Sequence, residues 1–141
     1  LNRLVEEVLA DQPDDMHRLE WHEPSMDMVV VTDAQCVRIV LNNLIANALR
    51  YGEPTQPVIV SMNGIQDSAQ VCISVSNKPG ISGWPDPNKL FQKYYRSTGA
   101  KSISGTGLGL FLVNSISIAI GATCRYAPDD KHIRFELCLP H

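Results

Sequence analysis

Val37-Arg38-Ile39-Val40-Leu41-Asn42-Asn43-Leu44-Ile45-Ala46-Asn47-Ala48-Leu49-Arg50-Tyr51 is the stretch on which the reading of this chain turns. Val37, Val40, Leu41, Leu44, Ile45 and Ala48 recur at helical spacing and define one apolar face. Thr32 or Asp33 can cap the helix at its start, and Gly52 and Pro54 stop it just past Tyr51. A second stripe lies on the same helix. Asn43 and Asn47 sit one turn apart on a shared face, and Arg50 and Tyr51 continue it toward the C-terminal end. Asparagine is a poor helix former, so the crowding of Asn42, Asn43 and Asn47 carries a cost that apolar packing does not require. An amide oxygen is a hard, neutral ligand of the kind magnesium accepts beside waters and phosphates. An arginine pairs with phosphate, and a tyrosine ring can lie against a base. Taken alone, the stripe fits a polar face in solvent as well.

Upstream, Leu1, Leu4, Val5, Val8 and Leu9 predict an amphipathic helix that Pro13 ends. His17 to Trp21 and Asp27 to Val31 read as two short strands around a turn at Glu23-Pro24-Ser25. Downstream, Val58 to Met62 and Val71 to Val75 read as strands, joined by a hairpin-like connection that starts at Asn63-Gly64. A helix from Gly107 to Ile120 and strands at Thr123 to Tyr126 and Ile133 to Leu139 complete the pattern. The segment from Asn77 to Ser104 is the least regular, punctuated by prolines and glycines around the apolar cluster Leu90, Phe91, Tyr94 and Tyr95. A loop of that length inside a compact domain is usually functional, often a lid. The order of elements predicts a mixed sheet covered on one face by helices.

The bulk properties narrow the function. With 141 residues, 44% of them hydrophobic and 19% charged, the chain suits one globular domain and not a disordered segment. A formal net charge of -3 speaks against a phosphate-tracking nucleic-acid surface. The apolar run from Leu108 to Ile120 is too short and too polar to span a bilayer. Leu1 to Leu9 carry acids and no cleavage-site pattern; they read as the tail of a helix already under way, hence as part of a longer protein. Cys36, Cys72, Cys124 and Cys138 show no metal-ligand spacing and are expected to be small buried hydrophobes, consistent with a reducing compartment.

Gly105-Thr106-Gly107-Leu108-Gly109 opens the later helix. Backbone amides at such a start carry the positive end of the helix dipole and can be closely approached where no Cβ intervenes. This is neither the dinucleotide fingerprint, since Leu110 stands where that pattern has Gly, nor a P-loop, which would need a following Gly-Lys-Ser/Thr. Four segments occur in order: Asn43 to Ala48, Asn77-Lys78-Pro79-Gly80-Ile81, Leu90-Phe91-Gln92-Lys93-Tyr94-Tyr95-Arg96, and Gly105 to Leu110. Together they resemble the N, G1, F and G2 boxes of the C-terminal ATP-binding domain of bacterial sensor histidine kinases, in the gyrase-type GHKL (Bergerat-fold) superfamily. The closing run Arg134-Phe135-Glu136-Leu137-Cys138-Leu139-Pro140 resembles that family's last strand.

The resemblance implies an α/β (α+β) two-layer sandwich. Its mixed, mostly antiparallel sheet would have about five strands, with about three helices on one face and an ATP lid at about 78–104 of a single domain, 1–141. It implies ATP and Mg2+ as cofactors. Asn47 would ligate the metal and Asn43 would help position it. Arg50 and Arg96 would reach the phosphates, Tyr51 would border the adenine, and Asn77 would read its amino group. Gly80 and Ile81 belong to the G1 box, Phe91 would anchor the lid, and Gly105, Thr106, Gly107, Leu108, Gly109 and Leu110 would wrap the phosphates. One departure is visible: Asn77 stands where the family commonly has Asp, and the segment is one residue shorter. An Asn77→Asp change is therefore expected to raise ATP affinity by restoring a charged acceptor.

His17, His22, His132 and His141 lie in no helical phosphoacceptor context, so the acceptor histidine is expected on a separate dimerisation domain. The implied partners are that domain of the same protein and a downstream response regulator, with no nucleic acid. The fragment is expected to be monomeric and cytoplasmic. Asn43, where a gyrase-type ATPase carries a catalytic Glu, argues against hydrolysis. The alternatives are an anti-sigma-factor-type serine kinase, or a degenerate domain acting as a docking module.

Overall fold

The computed structural model describes residues 1–12, 16–65, 69–93, 95–96 and 107–141. Among them, three helices pack on one face of a five-stranded sheet. The helices are α1 (Asn2–Ala10), α2 (Ala34–Tyr51) and α3 (Gly109–Ala119). The strands are β1 (Leu19–His22), β2 (Val58–Ile65), β3 (Gln70–Asn77), β4 (Thr123–Tyr126) and β5 (Ile133–Pro140), in spatial order β1-β2-β3-β5-β4. β1 runs parallel to β2 and every other pairing is antiparallel. The expected two-layer sandwich with a mixed, mostly antiparallel sheet is thus the fold observed.

α2 is the spine of the helical layer. Asp33 caps it, its Oδ1 accepting from the N–H groups of Gln35 and Cys36 at 2.9 and 3.0 Å. The six apolar residues read from the helical period are its buried ones. They meet the inward side chains of the sheet, which alternate as the pleat requires: Val58, Val60 and Met62, then Val71, Ile73 and Val75, then Ile133, Phe135, Leu137 and Leu139. α1 adds Val5 and Val8 at the edge of this core. Each fully buried aliphatic side chain of this kind contributes about 1.5–3 kcal/mol of transfer free energy, so the core supplies most of the drive to fold.

Three local expectations are corrected. Asp27 to Val31 is not a strand. The Met28 N–H donates to Asn2 Oδ1 at 3.0 Å and its carbonyl accepts from the Leu1 amine at 2.7 Å, so the start of α1 takes the backbone groups a ladder would need. Met26, Val29 and Val31 are left exposed. Asn63-Gly64 is not a turn either, because β2 runs on to Ile65 and pairs Asn63 with Cys72 and Gly64 with Val71. Finally, Cys72 and Cys138 are not unpaired: they stand directly opposite each other in the β3–β5 register and form a disulfide. Cys36 and Cys124 are free, as expected, and burial pushes the Cys124 thiol up to about 12.

No helix among the described residues is long and apolar enough to cross a membrane.

Candidate nucleotide site

The C-terminal half of α2 and the first turn of α3 face each other across the mouth of a cavity of about 380 Å³. Asn43 donates its Nδ2 to the Ile39 carbonyl at 2.8 Å, which leaves Oδ1 as its outward group. That oxygen and both polar atoms of the Asn47 side chain converge on Gly109. A Cβ at Gly109 would lie 3.3 Å from Asn43 Oδ1, 3.7 Å from Asn47 Nδ2 and 3.8 Å from Asn47 Oδ1. The absence of a side chain at the start of α3 therefore keeps a small polar space open between the two asparagines.

Gly107 has φ 71, a left-handed conformation that suits glycine and turns the chain into α3. No side chain caps that helix at Leu108. Its first-turn amides carry the positive end of the dipole into the cavity mouth, with Gly107, Leu108, Gly109 and Leu110 on the wall. Arg50 and Arg96 also line the cavity, Arg50 with its guanidinium carbon 5.9 Å from the Tyr51 ring centre. Among the described lining residues there is no Asp or Glu, so the charged part of the lining is cationic although the whole chain is acidic.

The floor is apolar. Val75, Leu90, Ile133 and Phe135 line it, and Asn77, the last residue of β3, is the buried polar group beside them. β3 and β5 bring Val75 opposite Phe135 and Asn77 opposite Ile133, which is why these four share one floor. The chain leaving β3 is clamped to the end of α2. Gly52 bridges Pro79, the Glu53 N–H donates to the Lys78 carbonyl at 3.0 Å, and the Gly80 N–H donates to the Tyr51 carbonyl at 3.2 Å. A Cβ at Gly80 would sit 2.7 Å from the Tyr51 oxygen, so only glycine closes this contact.

Of the residues singled out in the sequence, Asn43, Asn47, Arg50, Tyr51, Asn77, Arg96, Gly107, Leu108, Gly109 and Leu110 line this cavity. Gly105, Thr106, Tyr94 and residues 97–104 of the lid expected at about 78–104 lie outside the described residues. Gly80, Ile81 and Phe91, also expected at the site, are not part of the described wall. Gly80 is spent on the clamp, and Ile81 points to solvent, 82% exposed. Phe91 stands behind the wall, its ring edge-on to Phe135 at 6.1 Å. The same segment is pinned again where the Tyr95 hydroxyl accepts from the Asp86 N–H at 2.9 Å.

Sequence reasoning missed the floor residues Val75, Leu90, Ile133 and Phe135, and the rim residues Tyr95 and Ser82. For the strand residues the signal was present: Val75 lies two places before Asn77, hence on the same face of the strand.

Residues 32–141 match the family described as histidine kinase-, DNA gyrase B- and HSP90-like ATPase. The chain is 31% identical over 118 residues to the swarming motility regulation sensor protein RssA of Serratia marcescens, covering 82% of this chain and 25% of that protein. It is 29% identical over 146 residues to the sensor histidine kinase HprS of Escherichia coli, covering 99% of this chain and 30% of that one. The chain thus spans about a third or less of the curated relatives. Among solved structures, the catalytic domain of histidine kinase ThkA superposes with a TM-score of 0.81 at 21% identity, covering 99% of this chain and 91% of that one. Full-length ShkA in complex with AMPPNP gives 0.80 at 22% identity, covering 99% of this chain and 29% of that one. At those identities the structures speak for the fold, while the matched profile spans most of the sequence. The chain belongs to the histidine kinase-, DNA gyrase B- and HSP90-like ATPase family, and it is an ATPase domain of the sensor histidine kinase kind.

Proposed function

We propose that this domain binds ATP with magnesium and donates the terminal phosphoryl group to a histidine on a separate dimerisation domain of the same sensor kinase. The observation that carries the reading is the polarity of the cavity. Its floor is apolar with a single buried amide, Asn77, and suits a purine; Arg50, Arg96 and the start of α3 line the same cavity and suit a polyphosphate.

The donor set fits magnesium. Two amide oxygens beside a glycine whose Cβ would intrude between them make a small, hard, neutral cradle that leaves most ligand positions to water and phosphate. Asn47 would hold the metal and Asn43 would support it. Bound there, magnesium would neutralise charge on the phosphates. Arg50 and Arg96 would orient the phosphates, and Tyr51 would border the base.

No described lining residue is a carboxylate, so none can take a proton from an attacking water as the Glu of a gyrase-type ATPase does. In the proposed transfer an imidazole nitrogen supplied by the other domain bonds to the γ-phosphorus. The bond from that phosphorus to the β–γ bridging oxygen breaks, ADP leaves, and the imidazole gives up its N–H proton to solvent. The response regulator would take the phosphoryl group from that histidine in turn. On this reading the domain would lie on the cytoplasmic side of its parent protein.

Calorimetry of ADP and ATP binding with magnesium and with chelator tests the site. Labelled ATP with a separately supplied dimerisation domain tests the transfer. Multiple turnover of ATP by this chain alone, abolished by Asn47→Ala, would overturn the reading in favour of a hydrolase.

A further inference from the structure

The Asn77 side chain is buried, and its Nδ2 donates to the carbonyl of Lys78 at 3.0 Å. An amide has one donating and one accepting end. With Nδ2 committed, Oδ1 is the end left to meet a ligand. The Lys78 carbonyl is itself held by the Glu53 N–H at 3.0 Å. Glu53 is held in turn: Arg18 donates from Nη2 to the Glu53 carbonyl at 3.1 Å and from Nη1 to the Leu49 carbonyl at 3.0 Å. A guanidinium spanning two carbonyls at the end of α2 also meets the negative end of that helix dipole. On the remaining side, a Cβ at Gly52 would lie 3.0 Å from Asn77 Nδ2 and 2.5 Å from the Ala48 carbonyl, so the bare glycine lets the amide sit against the helix.

We propose that Arg18, through the Glu53 backbone and the Lys78 carbonyl, is a positioning residue that fixes the Asn77 amide with its oxygen toward the purine, so that the site selects a 6-amino over a 6-oxo purine nucleotide without a carboxylate. This rests on the nucleotide reading of the cavity. A reversed amide would set Oδ1 against the Lys78 oxygen, acceptor to acceptor, and would turn Nδ2 toward the ligand to suit a 6-oxo base instead. The preference for one amide orientation is therefore the base specificity. A carboxylate at this position would also face the Lys78 oxygen with an acceptor, so the gain that the sequence suggested for Asn77→Asp is offset here. The neutral residue is matched to its neighbour.

The test compares ADP and IDP affinity by calorimetry in the parent chain, Arg18→Met, Arg18→Lys, Asn77→Asp and the Arg18→Met/Asn77→Asp double variant, each checked by urea unfolding. The parent should prefer ADP by about tenfold. Arg18→Met should lower the ADP-to-IDP ratio roughly threefold to tenfold, and Arg18→Lys, which reaches only one carbonyl, by less. In the Asn77→Asp background Arg18→Met should leave the ratio unchanged, because either carboxylate oxygen accepts. Equal loss of ADP and IDP affinity in Arg18→Met, or an equal fall of the ratio in both backgrounds, would reduce Arg18 to a structural role and overturn the proposal. If Arg18→Met does not fold, a parental ratio in a destabilised Arg18→Lys overturns it too. A parent chain that binds ADP and IDP equally sinks this proposal alone, whereas one that binds neither sinks the nucleotide reading itself.

Discussion

Gly109→Ala separates the stability of this domain from its chemistry. Gly109 opens α3 with a backbone that any residue can adopt, so alanine there gains about 0.5–1 kcal/mol of helix propensity. The new methyl would meet Asn43 Oδ1 at 3.3 Å, tight enough to take back a few tenths of that, and the Asn47 amide at 3.7 and 3.8 Å, which is ordinary contact. The net change in unfolding free energy is thus about zero to slightly favourable. The effect on the ligand is of the opposite sign. The methyl fills the space between the two amide oxygens assigned to the metal. Disturbing the groups around a metal ligand typically costs about 10- to 100-fold in metal affinity, or roughly 1.4–2.7 kcal/mol. Urea unfolding should therefore show the variant at least as stable as the parent. Titration with ADP should show that the affinity gained on adding magnesium has collapsed, while affinity in chelator is nearly kept. A magnesium-dependent gain equal to the parent's would refute the cradle, and the asparagine pair would revert to a polar face in solvent.

Asn47→Ala should likewise abolish the magnesium-dependent part of ADP affinity at unchanged or slightly raised stability, since alanine is the better helix former and Asn47 is outside the core; equal binding in magnesium and chelator with parental affinity would show the assignment to be wrong. Reducing the Cys72–Cys138 bond, which joins residues 66 apart, should lower stability by up to about 4 kcal/mol on loop-entropy grounds, read as a lower urea midpoint in dithiothreitol and absent in Cys138→Ser. The Asp129 carboxyl is held below its ordinary value of 3.8, first by the Lys131 N–H and then by His132. Its contribution is complete above that value and is lost as pH falls through the lower folded value, so Asp129→Asn should lower stability at pH 7 and flatten the acid limb below about pH 4, the two chains converging at the acid end of a urea-midpoint series.

What could be read from the sequence was what a local period dictates. The buried face of α2 followed from the helical repeat, and Thr123 to Tyr126 is the strand expected. What failed was decided by distant partners. Asp27 to Val31 has strand composition, but its backbone is claimed by Asn2 and Leu1 from across the fold. Asn63-Gly64 carries a turn signal that the continued pairing of β2 with β3 overrides. The disulfide depends on a register that no spacing between Cys72 and Cys138 reveals. In the site, residues contributed by helical spacing or glycine turns were legible. Those whose role is to hold another residue's backbone, Arg18 above all, were not, because a bond to a carbonyl leaves no mark on the identity of the residue that supplies it.

The place of β5 in the sheet bears on when the site can exist at all. It follows the other elements in sequence yet is inserted between β3 and β4, and it brings Phe135 and Ile133 to the cavity floor. Its pairing with β3 joins positions as distant as Cys72 and Cys138, and such non-local ladders are late and slow to form. Until β5 is home there is no floor for a base to rest on. On the proposed reading a bound nucleotide would not template the folding of this domain; it would act as a latch on the finished sheet, slowing its opening while leaving the rate of its assembly unchanged.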